Sequence, residues 1–209
     1  GRTSRLLVIC GLGGAGKSQL ALNYIETYRT DYSAVFWIDA STKEALEQDY
    51  AQIRQLLRGP DASSGRGTES VDACILEVKQ WCHRSSSRLL FVLDSADDVD
   101  TPEDPGFIDL RKVIPDAACV DVIVTTRCQS VKDMTSLEAV QVAELALAEA
   151  RQLLVRHANL PKTTKEVDAE IDEVVEELGR LALAVPLAGA YIAATPRLRP
   201  HPGKYLVEY

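Results

Sequence analysis

The chain has 209 residues, 46% hydrophobic and 26% charged, which suits one or two globular domains with a real core. Acidic residues outnumber basic ones 31 to 23, for a formal charge of −8; this argues against nucleic acid as the main partner, because phosphate backbones call for basic patches. No apolar run reaches membrane-span length and no secretory pattern precedes the first strand, so the expectation is a cytoplasmic chain with no membrane partner.

The first predicted element is the apolar strand Leu6–Cys10, which runs into Gly11-Leu12-Gly13-Gly14-Ala15-Gly16-Lys17-Ser18 and then a helix over Lys17–Tyr28. Strand, glycine-rich loop ending in Lys-Ser, and helix form the P-loop pattern G-x-x-x-x-G-K-[ST]. Phosphate oxygens need several donors converging on a small volume, and successive backbone N–H groups supply them most compactly. Glycine removes the Cβ atoms that would block that approach and allows positive φ. The helix start adds unsatisfied N–H groups and roughly half a positive charge. The expected binding set is Gly11, Gly13, Gly14, Ala15, Gly16, Lys17, Ser18 and Gln19. Lys17 would bridge the β- and γ-phosphates, and Ser18 would ligate Mg²⁺. Leu20, Tyr24 and Tyr28, with Ala21 and Ile25, give the helix an apolar stripe.

Next come a strand at Ala34–Asp39 and a helix at Lys43–Leu57, opened by a Ser41-x-x-Glu44 capping box and striped by Leu46, Tyr50, Ile53 and Leu57. Arg58–Thr68, RGPDASSGRGT, reads as a mobile surface connection. A helix follows at Val71–Cys82, with Val71, Ile75, Val78 and Cys82 on one face. Strands at Leu89–Asp94, Val120–Thr125 and Ala139–Ala143 complete an α/β alternation, the signature of a parallel sheet covered by helices. After Glu144 the strands stop. Leu147, Ala150, Leu154 and His157 mark one helix; Val167, Ile171, Val174, Leu178 and Leu181 mark another, opened by Thr163-x-x-Glu166; Ala184–Ala194 is a small-residue helix. Thr195–Tyr209 has three prolines and no period. The five cysteines, Cys10, Cys74, Cys82, Cys119 and Cys128, include no C-x-x-C pair and read as small buried hydrophobes in a reducing compartment.

Two of these strands end in chemistry. Arg88-Leu-Leu-Phe-Val-Leu-Asp94 delivers a carboxylate at the carboxyl edge, where ligands sit in parallel sheets. Asp94 is thus a Walker B candidate that would hold Mg²⁺ opposite Ser18, against the plainer reading of a turn-forming Asp. Asp97 or Asp98 could polarise an attacking water, or could belong to a solvated acidic loop. Val120–Arg127 ends in two threonines and an arginine; Arg127 at that edge could reach a γ-phosphate or be an ordinary surface arginine.

Taken in order, GLGGAGKSQLALNY, VFWIDAS, LLFVLDSADD, VIVTTR and LGRLALAVPLAGAYI resemble the NB-ARC module of STAND-class signalling ATPases, most closely the NOD-like receptors of filamentous fungi. The resemblance implies a P-loop NTPase three-layer fold in residues 1–143, a helical ARC1-like subdomain in 145–195, and in 196–209 the start of a truncated downstream segment. It implies that the VIVTTR strand lies between the P-loop and Walker B strands, with Arg127 as the γ-phosphate sensor. It further implies an innate-immunity switch in which ADP holds a closed monomer and ATP permits self-oligomerisation of the full-length protein. Effector, winged-helix and repeat domains of that protein would be its partners, and this fragment alone would be monomeric. The chain departs from the family at Ser95, where relatives carry a second acidic residue, and at Arg180-Leu181-Ala182-Leu183, which stands for Gly-Leu-Pro-Leu.

Three readings therefore stand. The first is a regulatory switch binding ADP or ATP with Mg²⁺ and turning over slowly, with Lys17, Asp94, Arg127 and Asp97 as its catalytic candidates. The second is a metabolic P-loop kinase or NTPase, and the third a nucleotide-locked scaffold that does not hydrolyse.

Overall fold

The computed structural model describes residues 4–59, 70–161 and 163–208. Most of the expected surface connection, from residue 60 to 68, lies outside the described residues. Those residues form two compact units. One takes the chain up to Gly11 together with Lys17–Gln141; the other takes Leu12–Gly16 and the chain from Val142 onward.

The first unit is a five-stranded sheet with strands β1 (Arg5–Gly11), β2 (Ala34–Asp39), β3 (Leu89–Asp94), β4 (Val120–Thr126) and β5 (Val140–Val142) in the order β2-β3-β4-β1-β5. β2, β3, β4 and β1 pair parallel, with Asp39 opposite Asp94 and Cys10 opposite Thr126. β4, the VIVTTR strand, thus lies between β1, which runs into the glycine-rich loop, and β3, which ends in Asp94, the order that the resemblance implies. Leu89 through Leu93 are all buried, which explains their unbroken apolar run: a central parallel strand has no wet face. Each such side chain contributes about 1.5–3 kcal/mol relative to exposure.

Helices α1 (Lys17–Tyr28), α2 (Lys43–Arg58), α3 (Val71–Arg84) and the single turn α4 (Leu110–Val113) accompany the sheet. Leu46, Tyr50 and Ile53 of α2 join Ile75, Val78 and Cys82 of α3 and Phe91 of β3 in one core. The Tyr50 hydroxyl donates to the Val113 carbonyl at 2.6 Å, and burial pushes its phenol well above the ordinary tyrosine range. Burial also pushes the Cys82 thiol up to about 12, befitting a cysteine used as a small hydrophobe. All five cysteines are free.

The apolar stripe expected on α1 needs correction. Leu20 and Tyr28 are exposed, Ala21 is the buried residue, and the Tyr24 and Tyr28 rings pack on each other with centroids 4.8 Å apart. The α2 cap shifts by one residue as well. Asp39 Oδ1 takes the Ser41 N–H at 2.9 Å, so Thr42 becomes the cap and accepts from Ala45 N at 3.1 Å.

In the second unit, α5 (Leu147–His157), α6 (Lys165–Glu177), α7 (Ala184–Ala194) and the short α8 (Tyr205–Glu208) bury Leu154, Ile171, Val174, Val185, Ala188 and Ile192. The α6 cap also moves by one, from Thr163 to Thr164, because the Thr163 hydroxyl is given to Asp168. That helix ends at Glu177, short of Leu181, and Gly179 just beyond its cap takes φ of +61°, which stops the helical ladder. α5 and α7 approach closely at Gly189, where a Cβ would come within 2.7 Å of the His157 Cβ. The proline-rich end, which carries no period, packs into this same core through Leu198 and Tyr205.

Candidate functional site

The glycine-rich loop leaves β1 at Gly11 and enters α1 at Lys17. Between them Ala15 N donates to Leu12 O at 3.3 Å, and Gly14 and Gly16 take φ of +75° and +102°, a region that side chains strain to occupy. Gly13 and Gln19 are exposed and Ala15 is buried. Lys17 Nζ donates to the Gly11 carbonyl at 3.0 Å. Within its own unit the loop is tied to the start of α7: Leu183 N donates to Gly14 O at 3.0 Å, and the Ala182 Cβ stands 3.5 Å from where a Gly16 Cβ would be.

At the carboxyl edge of the sheet Ser18, Asp94 and Thr125 form one hydrogen-bonded group. Asp94 Oδ1 accepts the Ser18 hydroxyl at 2.7 Å and the Thr125 hydroxyl at 2.5 Å. Thr125 Oγ1 in turn accepts the Ser95 N–H at 2.9 Å. Ser95 itself sits at φ +61°, unusual for a residue with a side chain and typical of strained positions around sites. The pair of Ser18 Oγ and Asp94 Oδ1 is a hard-oxygen donor set, which suits Mg²⁺; that ion takes one or two protein oxygens and keeps its remaining places for water and phosphate.

The residues after β3 and β4 are stitched together beside this group. Thr126 Oγ1 donates to Ala96 O at 2.6 Å, Ala96 N donates to Thr125 O at 2.9 Å, and Cys128 Sγ donates to Asp97 O at 2.9 Å. Burial, then the hydrogen bond to Asp100, raises the Cys128 thiol above its ordinary value, so it is no ready nucleophile. Asp97, expected as a water-polarising base, has both oxygens committed: Oδ1 accepts Arg127 N at 2.6 Å and Oδ2 accepts Arg127 Nε at 2.5 Å. Asp98 is exposed, and its carbonyl accepts Ile108 N at 2.8 Å.

The expected residues thus fall into three local arrangements: Lys17 with Gly11, Ser18 with Asp94, and Arg127 with Asp97. Sequence reasoning missed the parts played by Thr125 and Thr126. Both are fully buried polar residues at the end of an apolar strand, and a hydroxyl in that place needs a partner; this was the available signal.

Among the described residues no helix is long and apolar enough to cross a membrane. Residues 1–117 match the family model described as an AAA domain. No curated protein matches the chain. Among solved structures, the chain is similar to the Aeropyrum pernix ORC2 protein in ADPNP–ADP complexes (12% identity, TM-score 0.64, 98% of this chain and 62% of that one). It is similar to the A. pernix ORC1 protein in complex with DNA (16% identity, TM-score 0.61, 98% and 59%). A third likeness is to a Pyrococcus horikoshii signal transduction ATPase with numerous domains and a tetratricopeptide repeat sensor (15% identity, TM-score 0.53, 92% and 28%). The chain therefore spans less than two thirds of the length of each of these proteins, and at such identities the likeness is one of fold: an α/β P-loop NTPase.

Proposed function

The chain belongs to the AAA domain family, and on that premise we propose that it is an ADP- and ATP-binding regulatory switch, the NB-ARC-type module of a STAND signalling protein. The observation that carries the switch is the grouping of Leu12–Gly16 with the helical unit, through the hydrogen bond from Leu183 N to Gly14 O. Whatever the loop grips is thereby felt at the start of α7. The P. horikoshii likeness and the ordered motifs from GLGGAGKS to LGRLALAVPLAGAYI support the same reading. Residues 1–143 would be the nucleotide-binding domain and 145–195 an ARC1-like subdomain.

In this reading the N–H groups of Gly13 to Ser18 and the α1 N-terminus cradle the phosphates, and Lys17 neutralises their charge. Ser18 and Asp94 hold Mg²⁺, which when bound offsets charge developing on the terminal phosphate. Thr125 keeps the Asp94 carboxylate turned toward Ser18. Arg127 meets a γ-phosphate as a charged donor. Ser95, standing where relatives carry a second carboxylate, makes hydrolysis slow. In the full-length protein, ATP in place of ADP permits self-oligomerisation with the effector, winged-helix and repeat domains. Net charge of −8 keeps nucleic acid out of this proposal; duplex DNA bound at physiological salt would change that.

The test is calorimetric titration with ADP and ATP, with and without Mg²⁺, beside the nucleotide that co-purifies, identified by mass. Binding should weaken about 100-fold or more in Lys17→Ala, roughly 2.8 kcal/mol. No heat from the native chain with either nucleotide would end the reading. Phosphoryl transfer to a small acceptor at roughly 1–100 per second would favour a metabolic kinase instead.

A further inference from the structure

Asp97 is the side chain at this edge that the nucleotide reading leaves without a task. Its side chain is 19% exposed, whereas that of Arg127 is 62% exposed. One carboxylate oxygen takes the backbone N–H of Arg127 and the other takes Nε of the same residue. This double grip closes a ring over the whole aliphatic stem, so the arginine torsions are fixed between its two ends. The guanidinium has five N–H donors, and among the described residues Asp97 uses the one on Nε; those on Nη1 and Nη2 suit two oxygens of a phosphate. The grip is itself anchored, because Cys128 Sγ donates to the Asp97 carbonyl and Thr126 Oγ1 donates to the neighbouring Ala96 carbonyl. An unrestrained arginine would have to order its stem at the moment a phosphate arrives, and that loss of rotamer freedom opposes binding.

We propose that Asp97 is a positioning residue. It pre-orders Arg127 for the terminal phosphate of a nucleoside triphosphate and so sets the preference for ATP over ADP. This rests on the reading of Arg127 as the γ-phosphate contact. With a nucleotide bound at this edge, removing the Asp97 charge would act on ADP and ATP together. The informative quantity is therefore the ratio of the ADP to the ATP dissociation constant, measured with Mg²⁺.

Asp97→Ala should lower that ratio about tenfold, the scale of ordering one long side chain. Arg127→Ala should lower it as much or more, and the double variant no further than Arg127→Ala alone. Asp97→Asn keeps one acceptor without the charge and should fall between the native chain and Asp97→Ala; it also serves if Asp97→Ala does not fold. If Arg127→Ala leaves the ratio unchanged, the sensor reading itself fails. If Arg127→Ala lowers it while Asp97→Ala and Asp97→Asn do not, the sensor stands and the positioning role is overturned. Equal weakening of ADP and ATP in the Asp97 variants reduces the residue to a structural part. A ratio that rises means the carboxylate competes with the phosphate for Arg127, and that too overturns the proposal.

Discussion

The two edges of one sheet treat their carboxylates in opposite ways. At the amino edge Asp121 of β4 is bound by Arg5 through Nε at 2.7 Å and Nη2 at 2.9 Å, and by Arg88 through Nη2 at 2.8 Å. It also accepts the Tyr32 hydroxyl at 3.0 Å, and the Arg88 guanidinium lies 4.8 Å above the Tyr32 ring. At the carboxyl edge, among the described residues, the side-chain partners of Asp94 are the hydroxyls of Ser18 and Thr125. Asp121 is neutralised by the fold and stitches the starts of β1, β3 and β4 together. Asp94 is oriented by two neutral hydroxyls, and on the proposed reading its charge is left for Mg²⁺.

The contrast can be broken by exchanging what each edge loses. Asp121→Ala should cost about 2 kcal/mol of stability, less than a buried pair would because both arginines are more than a third exposed, and should leave nucleotide affinity unchanged. Denaturant titration and calorimetry of the same variant check both halves. Asp94→Asn should do the reverse. The amide oxygen still accepts a hydroxyl, so stability should move by less than about 1 kcal/mol, while the gain in ATP affinity from Mg²⁺ should fall about tenfold or more.

A pH experiment sharpens the amino edge alone. Burial, then the hydrogen bonds to Tyr24 and Asp121, raise the Tyr32 phenol far above the ordinary tyrosine value. A group whose folded value is raised lends stability that is intact below its unfolded value, near 10, and is lost as pH rises beyond it. The native chain should therefore lose about 1.4 kcal/mol at pH 11 through Tyr32. Tyr32→Phe should remove that part of the alkaline loss, and Tyr50 should keep its own. The smallest effect belongs to Ser95→Gly: relief of the positive φ is offset by the added freedom of glycine in the unfolded chain, for a net change under about 1 kcal/mol in thermal unfolding.

Much of the fold was legible because it is written in long, single-purpose runs. Leu89–Asp94 and Ala34–Asp39 are continuous apolar strands whose limits follow from those runs, and α2 has a clear stripe at Leu46, Tyr50 and Ile53, running one residue beyond the expected Leu57 to Arg58. The failures are local contests for single hydrogen bonds. Asp39 draws the Ser41 N–H and passes the cap to Thr42; Asp168 takes the Thr163 hydroxyl and passes the cap to Thr164. α4 and the Leu198 and Tyr205 contacts left no trace, because a single turn has no period to detect. At the site, the meeting of Ser18 with Asp94 was legible from the glycine-rich loop and the apolar strand that ends in the carboxylate. The link through Thr125 was not, because it joins residues 31 apart along the chain. The pairing of Asp97 with Arg127 was hidden for the same reason, since the two become neighbours only once β3 and β4 pair.

The most direct test of the central claim, that a loop gripping phosphate acts on the helical unit, is hydrogen exchange of the amides from Ala182 through α7. It would be measured without nucleotide, with ADP and with ATP, each with Mg²⁺. The account predicts that nucleotide alters protection at Leu183 and the first turns of α7, and that ADP and ATP do so to different extents. Tight nucleotide binding with protection there unchanged would contradict it.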